Sequence, residues 1–460
     1  MDFNINKENL IGQKITVIGL KKSGYAAAVL GHELGANIFV SEINDDTEII
    51  SNKNNLIKKG IRVETGKHSD LVYDADFWVI SPGVSKDIDI INQASKLEIP
   101  IIGEIEFASR FTNLPIIAVT GSNGKSTTVN ILYSMLKTDD LKPILAGNIG
   151  IPFSEKVVEE IKNPDIGNIY ILEISSFQLE SIDQFRAIIC VYLNISPDHL
   201  DRHNNMDEYI ETKLKMIKNH KSNDTVVYNA DDPIISLALN DYKINKVPFS
   251  ISNKTQFFSV NETKIYNKNN KPYIFINDIQ LKGKHNLSNL IAAATVSKLM
   301  KVDDKIIKRT MESFNGIDHR LQTVRKINEV IYINDSKATN IHSVIVAINS
   351  FEKPIILLLG GKNKNSDFRL LLPHTKRHVK HIVSYGEAGG EIATAIGDAV
   401  RLNRVSSLSQ AVASAHNLAS PGDIILMSPG CASFDEFKNF EERGKKFTGL
   451  VNDLAGVVCD

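Results

Sequence analysis

The run Val119-Thr120-Gly121-Ser122-Asn123-Gly124-Lys125-Ser126-Thr127-Thr128 sets glycines, a lysine and a series of hydroxyls side by side. That combination suits the phosphates of a nucleoside triphosphate. Glycines let backbone N–H groups turn inward, a helix N-terminus adds a favourable dipole, Lys125 can reach the terminal phosphates, and the Ser126 hydroxyl can take a place on Mg²⁺. Gly121, Ser122, Asn123, Gly124 and Thr127 complete the expected cradle. The ordinary phosphate-loop spacing would put glycine where Val119 stands. A Gly-Asn turn that merely joins strand to helix is the structural alternative, and the flanks argue against it. An apolar strand-type segment at 115–119 precedes the loop, and Val129, Leu132 and Leu136 recur at helical spacing over 126–137.

Other residues carry polarity where patterning does not ask for it. Glu173 lies in Ile169-Tyr170-Ile171-Leu172-Glu173-Ile174, and a buried carboxylate needs a cation or hydrogen bonds. His199, in Ser196-Pro197-Asp198-His199-Leu200-Asp201, follows the next predicted strand, 188–195. Alone it reads equally well as a structural histidine. With the phosphate loop and Glu173 also at the carboxyl ends of strands it reads as a Mg²⁺ ligand. Lys213 falls within the apolar stripe of Met206, Tyr209, Ile210, Leu214 and Ile217 on a helix predicted over 206–218. Its ammonium must either snorkel outward or face a polar site. Asn148 offers a carboxamide to a ligand in Ala146-Gly147-Asn148-Ile149-Gly150, otherwise an ordinary turn. Glu42, after a strand predicted over 37–41, is placed to hold a nucleoside hydroxyl, with Lys21 and Lys22 near a diphosphate; solvated loop charges are the alternative.

The elements that position these residues read as repeated strand and helix. The chain opens with a strand over 14–19, a helix over 23–34 closed by Gly35, and the strand over 37–41. Gly19-Leu20-Lys21-Lys22-Ser23-Gly24 keeps the outer glycines of a dinucleotide fingerprint. Lys21 replaces the middle one, which disfavours a nicotinamide cofactor. A strand over 77–80 runs into Ser81-Pro82-Gly83, a strand over 223–232 closes in Asp231-Asp232, and 247–281 is β-rich. Gly283-Lys284-His285-Asn286-Leu287-Ser288-Asn289 leads into an alanine-rich helix over 290–300. After a hinge at 314–321 come strands over 330–333, 354–359, 382–385 and 424–427, with polar loops at their ends. The expected class is α/β in three domains: a Rossmann-like N-terminal domain at 1–104, a central P-loop ATPase-type domain with a mostly parallel sheet at 105–317, and a Rossmann-like C-terminal domain at 318–460.

Composition narrows the functional classes. A length of 460 residues allows roughly three domains, each with its own core. Lys+Arg 53 against Asp+Glu 54 gives a formal charge of -1, so neither a nucleic-acid nor a membrane partner is expected. Cys190, Cys431 and Cys459 are scattered, which excludes a disulfide framework and a CxxC metal site and points to a reducing compartment. Apolar runs are too short to span a bilayer and the N-terminus lacks a signal-peptide pattern, so a soluble cytoplasmic protein is expected.

The phosphate loop resembles the shortened loop of the Mur ligases and folylpolyglutamate synthetases, which use ATP to join an acid to an amine. The resemblance to the Mur ligases extends over nearly the whole chain, through Leu172-Glu173-Ile174-Ser175-Ser176-Phe177-Gln178-Leu179, Asp198-His199, the Gly-x-His-Asn-x-x-Asn element at 283–289, His319-Arg320, the loop 334–340 and the stretch 428–444. The last two look most like the branch that adds D-glutamate to a UDP-muramoyl precursor in cell-wall peptidoglycan synthesis. The Asp-Asn-Pro-Arg box of the diaminopimelate- or lysine-adding branch occurs nowhere.

The resemblance implies that Lys125, His199 and Lys213 are catalytic, and that ATP, as co-substrate, also meets Asn286, Asn289, Arg320, Asp335 and Lys337. It implies that Lys364, Ser433 and Phe440 hold D-glutamate with Thr339 nearby, that Asn148 and His199 touch the muramoyl part, and that Ser23, Glu42 and Gly83 meet the uridine end. Two Mg²⁺ ions are implied, with Ser126, Glu173, His199 and an N-carboxylated Lys213 as ligands, in a cytoplasmic monomer. The chemistry implied is attack of a carboxylate on the γ-phosphate, giving an acyl phosphate from which the amine of D-glutamate displaces phosphate. Such steps need alignment and charge neutralisation in place of a nucleophilic Ser or Cys. A sister ligase for another amino acid and a folylpolyglutamate synthetase-like ligase are the near alternatives. A P-loop kinase or transporter-type ATPase would not need α/β domains at both ends, and a regulatory nucleotide-binding module would need no acceptor pocket.

Overall fold

A computed structural model of the chain describes residues 9–85, 88–196, 202–203, 205–316, 318–363 and 366–456. It divides into two compact units, Met1–Phe314 and Asn315–Asp460. Three α/β domains are present, each built on its own mostly parallel sheet, and the first two share one unit.

The first sheet contains β1 (Lys14–Ile18), β2 (Asn37–Glu42), β3 (Arg62–Thr65), β4 (Phe77–Ile80) and β5 (Ile101–Gly103), all parallel, in the order β3-β2-β1-β4-β5. The second contains β6 (Ile116–Thr120), β7 (Pro143–Gly147), β8 (Ile169–Glu173), β9 (Ile189–Tyr192), β10 (Thr225–Asn229) and β11 (Asn245–Phe249), in the parallel order β11-β10-β9-β6-β8-β7. Continuous apolar runs such as Phe77-Trp78-Val79-Ile80 and Ile169-Tyr170-Ile171-Leu172 form these strands because helices cover both faces, leaving no solvated side to alternate with. The segment read only as β-rich resolves into β11 and an antiparallel sheet of β12 (Phe258–Val260), β13 (Lys264–Asn267) and β14 (Pro272–Phe275).

The first two sheets are joined by one apolar cluster that runs from Leu10, Val17 and Phe77 through Phe107 and Phe111 to Phe153, Tyr170 and Leu172. Phe107 packs on Phe77 at 6.1 Å and on Phe111 at 5.1 Å, and Phe153 meets Tyr170 edge-on at 4.9 Å. Two buried carboxylates from the short helix Glu104–Ser109, directly after β5, fasten the same junction. Glu106 accepts from the backbone N–H groups of Asp183, Gln184 and Phe185 at 2.9, 3.0 and 2.9 Å and from Arg110 Nε at 2.7 Å. Glu104 Oε1 accepts from Ser154 N at 2.6 Å, at the start of the helix Phe153–Lys162.

The last unit orders β15 (Gln322–Ile327), β16 (Val330–Asn334), β17 (Ile355–Gly360), β18 (Val379–Tyr385), β19 (Leu402–Arg404) and β20 (Ile424–Gly430) as β15-β16-β20-β17-β18-β19. Only β15 is antiparallel to its neighbour.

Two sequence expectations shift. The helix expected over 206–218 is α-helical only at Met206–Leu214 and tightens into a 3₁₀ turn at Lys215–Ile217. The helix expected from 290 begins at Lys284, because its first turn is polar and gives no apolar signal, while Asn289 to Ser297 are buried. Asn286 and Asn289 therefore sit on the helix and not in a loop before it.

Burial pushes the Glu104 carboxyl up from 4.5 to about 7, against the opposing effect of the Ser154 hydrogen bond. Folded protein then binds the proton more tightly than unfolded protein. The resulting stability is full below pH 4.5 and is lost as pH rises through 7, a change on the order of 3 kcal/mol. Glu104→Gln removes the titration while keeping an acceptor for Ser154. Its Tm, compared with that of the parent at pH 5 and pH 8, should gain on the parent at the higher pH; parallel pH profiles would refute this.

Candidate active site

Strand order brings the central residues together. β6 lies between β9 and β8, with Val119 beside both Val191 and Glu173, and Thr120 beside Tyr192. The connection from β6 runs to β7 toward one edge of the sheet and that from its neighbour β9 runs to β10 toward the other, making this the switch point at which an open α/β sheet has a crevice for a ligand. The phosphate loop rises from β6 into the helix Lys125–Leu136. Gly124 takes a left-handed φ of +83°, and a Cβ there would lie 2.5 Å from Asn289 Oδ1. The carboxamide of Asn289 thus closes on the loop, and only glycine fits under it.

A second strand end braces the loop. Asn194 Oδ1 accepts from Asn123 N at 2.7 Å, Asn194 Nδ2 donates to Asn123 O at 3.0 Å, and Asn194 O accepts from Ser122 N at 2.9 Å. Ser122 Oγ donates to Ser196 O and accepts from Ser196 N, both at 3.0 Å, so Tyr209, 3.0 Å away, is the donor to it. Lys125 Nζ donates to Gly121 O at 2.8 Å and to Ser122 O at 2.9 Å.

Lys213 is 1 % exposed, so it does not snorkel. Its amine reaches Gly121 O at 3.2 Å and Thr120 Oγ1 at 3.5 Å, and lies 4.6 Å from the Tyr209 ring centroid. Glu173 is buried at the end of β8. Oε1 accepts from Asn148 Nδ2 at 2.8 Å, and Oε2 has no hydrogen-bond partner among the described residues. An orphaned, buried carboxylate oxygen costs free energy. A Ser126 hydroxyl at the first turn of the neighbouring helix adds a second hard oxygen donor, a set that fits Mg²⁺. Among the described residues no three His, Cys, Asp or Glu groups gather as a metal cluster. His199 lies outside the described residues.

In the first sheet, Glu42 is the last residue of β2, and Ser23 and Gly83 follow the ends of its neighbour β1 and of β4, which lies on the other side of β1. Glu42 is committed to its own fold: it accepts from Leu20 N at 2.9 Å and from Asn44 N and Nδ2 at 2.9 and 2.7 Å. It thereby holds the loop that carries the exposed Lys21 and Lys22.

In the last unit the loops after β16, β17 and β20 meet. Gly430 N donates to Ala338 O at 2.9 Å, and Lys362 pairs with Ala432. Asp335 accepts from Ser428 Oγ at 2.7 Å and Leu321 N at 3.1 Å, and burial pushes its carboxyl up to about 7. Ser433 is buried, Thr339 and Lys337 are half-buried and Arg320 is exposed. Phe440 O accepts from Ser336 Oγ at 2.7 Å, and Asn286 Nδ2 in the first unit donates to Lys282 O at 2.8 Å. Lys364 lies outside the described residues.

Residues 14–90, 119–297 and 319–431 match, in turn, the family models described as MurD N-terminal domain, Mur ligase middle domain, and Mur ligase, glutamate ligase domain. Relatives named UDP-N-acetylmuramoylalanine--D-glutamate ligase include one from Christiangramia forsetii, 37% identical over 454 residues, with 96% of this chain and 100% of the relative covered. Another from a Geobacillus species is 39% identical over 450 residues, covering 96% and 98%. The chain belongs to the Mur ligase family. In fold it is similar to the UDP-N-acetylmuramate-alanine ligase of Thermotoga maritima, with a TM-score of 0.56 at 18% identity, covering 96% of this chain and 100% of that one.

As a Mur ligase the chain is an ATP-dependent enzyme, and several of its site residues escaped sequence reading. Asn194 interrupts an apolar strand end much as Glu173 does, and that signal would have found it. Arg443 gave none, because in Glu441-Glu442-Arg443-Gly444-Lys445 it reads as a solvated charge. It is fully buried, donating to Ser336 Oγ at 3.0 Å, Ser336 O at 2.9 Å and Cys431 O at 3.1 Å.

Lys125 donates to two backbone carbonyls of its own loop and lies outside the apolar clusters. Lys125→Ala should therefore lower kcat on the order of 10²-fold or more while Tm shifts by no more than a few degrees. A normal rate in a folded variant would remove the phosphate-binding role.

Proposed function

We propose that this chain joins D-glutamate to UDP-N-acetylmuramoyl-L-alanine with the conversion of ATP to ADP and phosphate, a cytoplasmic step of peptidoglycan precursor synthesis. The observation that carries the reading is the end-to-end match to relatives bearing that name, at 37% and 39% identity. The convergence of the phosphate loop, Glu173 and Lys213 at one switch point supports it.

In this reading, residues 1–104 take the uridine end through Ser23, Glu42 and Gly83, and 105–317 take ATP and the muramoyl part, with Asn148 and His199 at the latter. Residues 318–460 take D-glutamate through Lys364, Ser433, Phe440 and Thr339, while Arg320, Asp335 and Lys337 serve ATP. The loop N–H groups of 121–127 and Lys125 orient the γ-phosphate toward the precursor's carboxylate, one of whose oxygens attacks phosphorus as the bond to the ADP oxygen breaks. The amine of D-glutamate, freed of its ammonium proton, then attacks the acyl carbon, phosphate leaves, and the nitrogen gives up one further proton, keeping one N–H in the amide. Both steps build negative charge that the loop N–H groups and lysines are arranged to meet. Ser126, Glu173, His199 and a carboxylated Lys213 would hold Mg²⁺, which would further neutralise the phosphate charge. Carboxylation forms one bond from Lys213 Nζ to the carbon of CO₂ and releases two protons, one from the ammonium before attack and one from the nitrogen after it, turning a cation beside the loop into an anion.

Two measurements test this. Phosphate release with the UDP-muramoyl-alanine precursor should depend on D-glutamate and not on L-glutamate, alanine, lysine or diaminopimelate; preference for another amino acid would move the chain to a sister branch. Lys213→Ala should be nearly inactive, and acetate or formate, which can occupy the vacated space, should partly restore turnover. No rescue, with an unmodified amine by mass in the active parent, would return Lys213 to a structural role.

A further inference from the structure

Arg202 lies between the segment that carries His199 and the helix that carries Lys213. It reaches three separate pieces of the first unit. Its Nη2 donates to Val84 O at 3.0 Å, in the loop after β4 that also holds Gly83. Its Nε and Nη2 form a two-pronged ion pair with Glu180 at 3.1 and 2.9 Å, just past the helix Ser176–Leu179 that follows Glu173. Its guanidinium lies 4.5 Å from the centroid of Phe177 on that helix.

From Phe177 the stacking continues inward. The ring of His203 lies over Phe177 at 6.1 Å and 27°, Tyr209 is 5.1 Å beyond it, and the Lys213 amine is 4.6 Å from the Tyr209 ring. Tyr209 also donates to Ser122 of the phosphate loop. Glu180 is fixed from its other side, its carbonyl accepting from Lys215 Nζ at 3.0 Å. A continuous column of packed rings and cations thus runs from the first sheet's loop to the phosphate loop, with Arg202 as its outer end. Planar stacking together with a two-pronged carboxylate pair is geometry that a guanidinium satisfies and an ammonium does not.

We infer that Arg202 is a positioning residue for the ligase reaction: it sets the register of the precursor-bearing loop at 81–84 against Glu173, Lys213 and the phosphate loop. The inference rests on the ligase reading given above. Removing Arg202 should loosen the precursor without loosening ATP, because the phosphate loop keeps its own braces from Asn194 and Asn289.

Steady-state kinetics of the full-length enzyme with the UDP-muramoyl precursor, D-glutamate and ATP test it. Arg202→Met should raise the precursor KM about tenfold and lower kcat about as much, with the ATP KM within about twofold of the parent. Millimolar guanidinium chloride should restore part of kcat, since the ion can enter the vacated place on Phe177. Arg202→Lys, which preserves charge and most of the packing, should show the same KM selectivity in milder form, and it carries the test should the methionine variant fail to fold. Unchanged kinetics, equal rises in both KM values, or losses that follow Tm without guanidinium rescue would each overturn the assignment. A parent enzyme that makes no D-glutamate product would instead overturn the ligase reading itself, whatever the variants do.

Discussion

The central site is governed by charged groups that the chain buries or half-buries around one loop. Glu173 is buried with one oxygen lacking a partner among the described residues, while Lys125 and Lys213 are both turned onto backbone carbonyls of one loop. Burying such groups opposes folding unless hydrogen bonds or counter-charges compensate. The chain tolerates them here because β6, β8 and β9 are buried on both faces and rigid, so the cost falls on a scaffold already held by its apolar clusters. A nucleotide with its cation is the kind of ligand that completes this arrangement, supplying anionic oxygens to the lysines and a positive charge to the carboxylate.

The last unit repeats the motif in another form. Arg443 is a fully buried cation that donates to carbonyls and a hydroxyl, and Asp335 is a buried carboxylate whose affinity for a proton is raised. Both stand where the loops after β16, β17 and β20 converge. In each unit, then, buried charged groups lie beside loops that follow the carboxyl ends of parallel strands, where backbone is free to face a ligand.

Much of this was legible from residue order. The phosphate loop announced itself through glycine, lysine and hydroxyl spacing, and Glu173 and Lys213 stood out because each broke an apolar pattern. The α/β class followed from alternating strand and helix periods. Strand order was not legible: nothing in a sequence marks that β20 inserts between β16 and β17, or that β6 lies between β9 and β8. Those neighbours are chosen by packing over long separations. Arg443 and Arg202 were equally hidden, since a charged residue in a charged neighbourhood looks solvated until its tertiary partners are known. Glu104 and Glu106 were missed because a carboxylate that accepts backbone N–H groups from a distant segment leaves no local trace.

The position of β6 also bears on how the protein is made. The first sheet is complete within residues 14–103, so it can assemble as soon as that stretch leaves the ribosome. The phosphate-loop strand at 116–120 then has to wait, because its two neighbours are β8, at 169–173, and β9, at 189–192, both later in synthesis. During that interval an apolar strand with both edges unpaired stands exposed, and long-range parallel pairing is slow to close. The N-terminal half of the shared apolar cluster is by then in place and offers Phe107 and Phe111 as a surface on which the growing chain can settle. The strand that carries the phosphate loop is thus paired on both edges only after the N-terminal sheet has been synthesised.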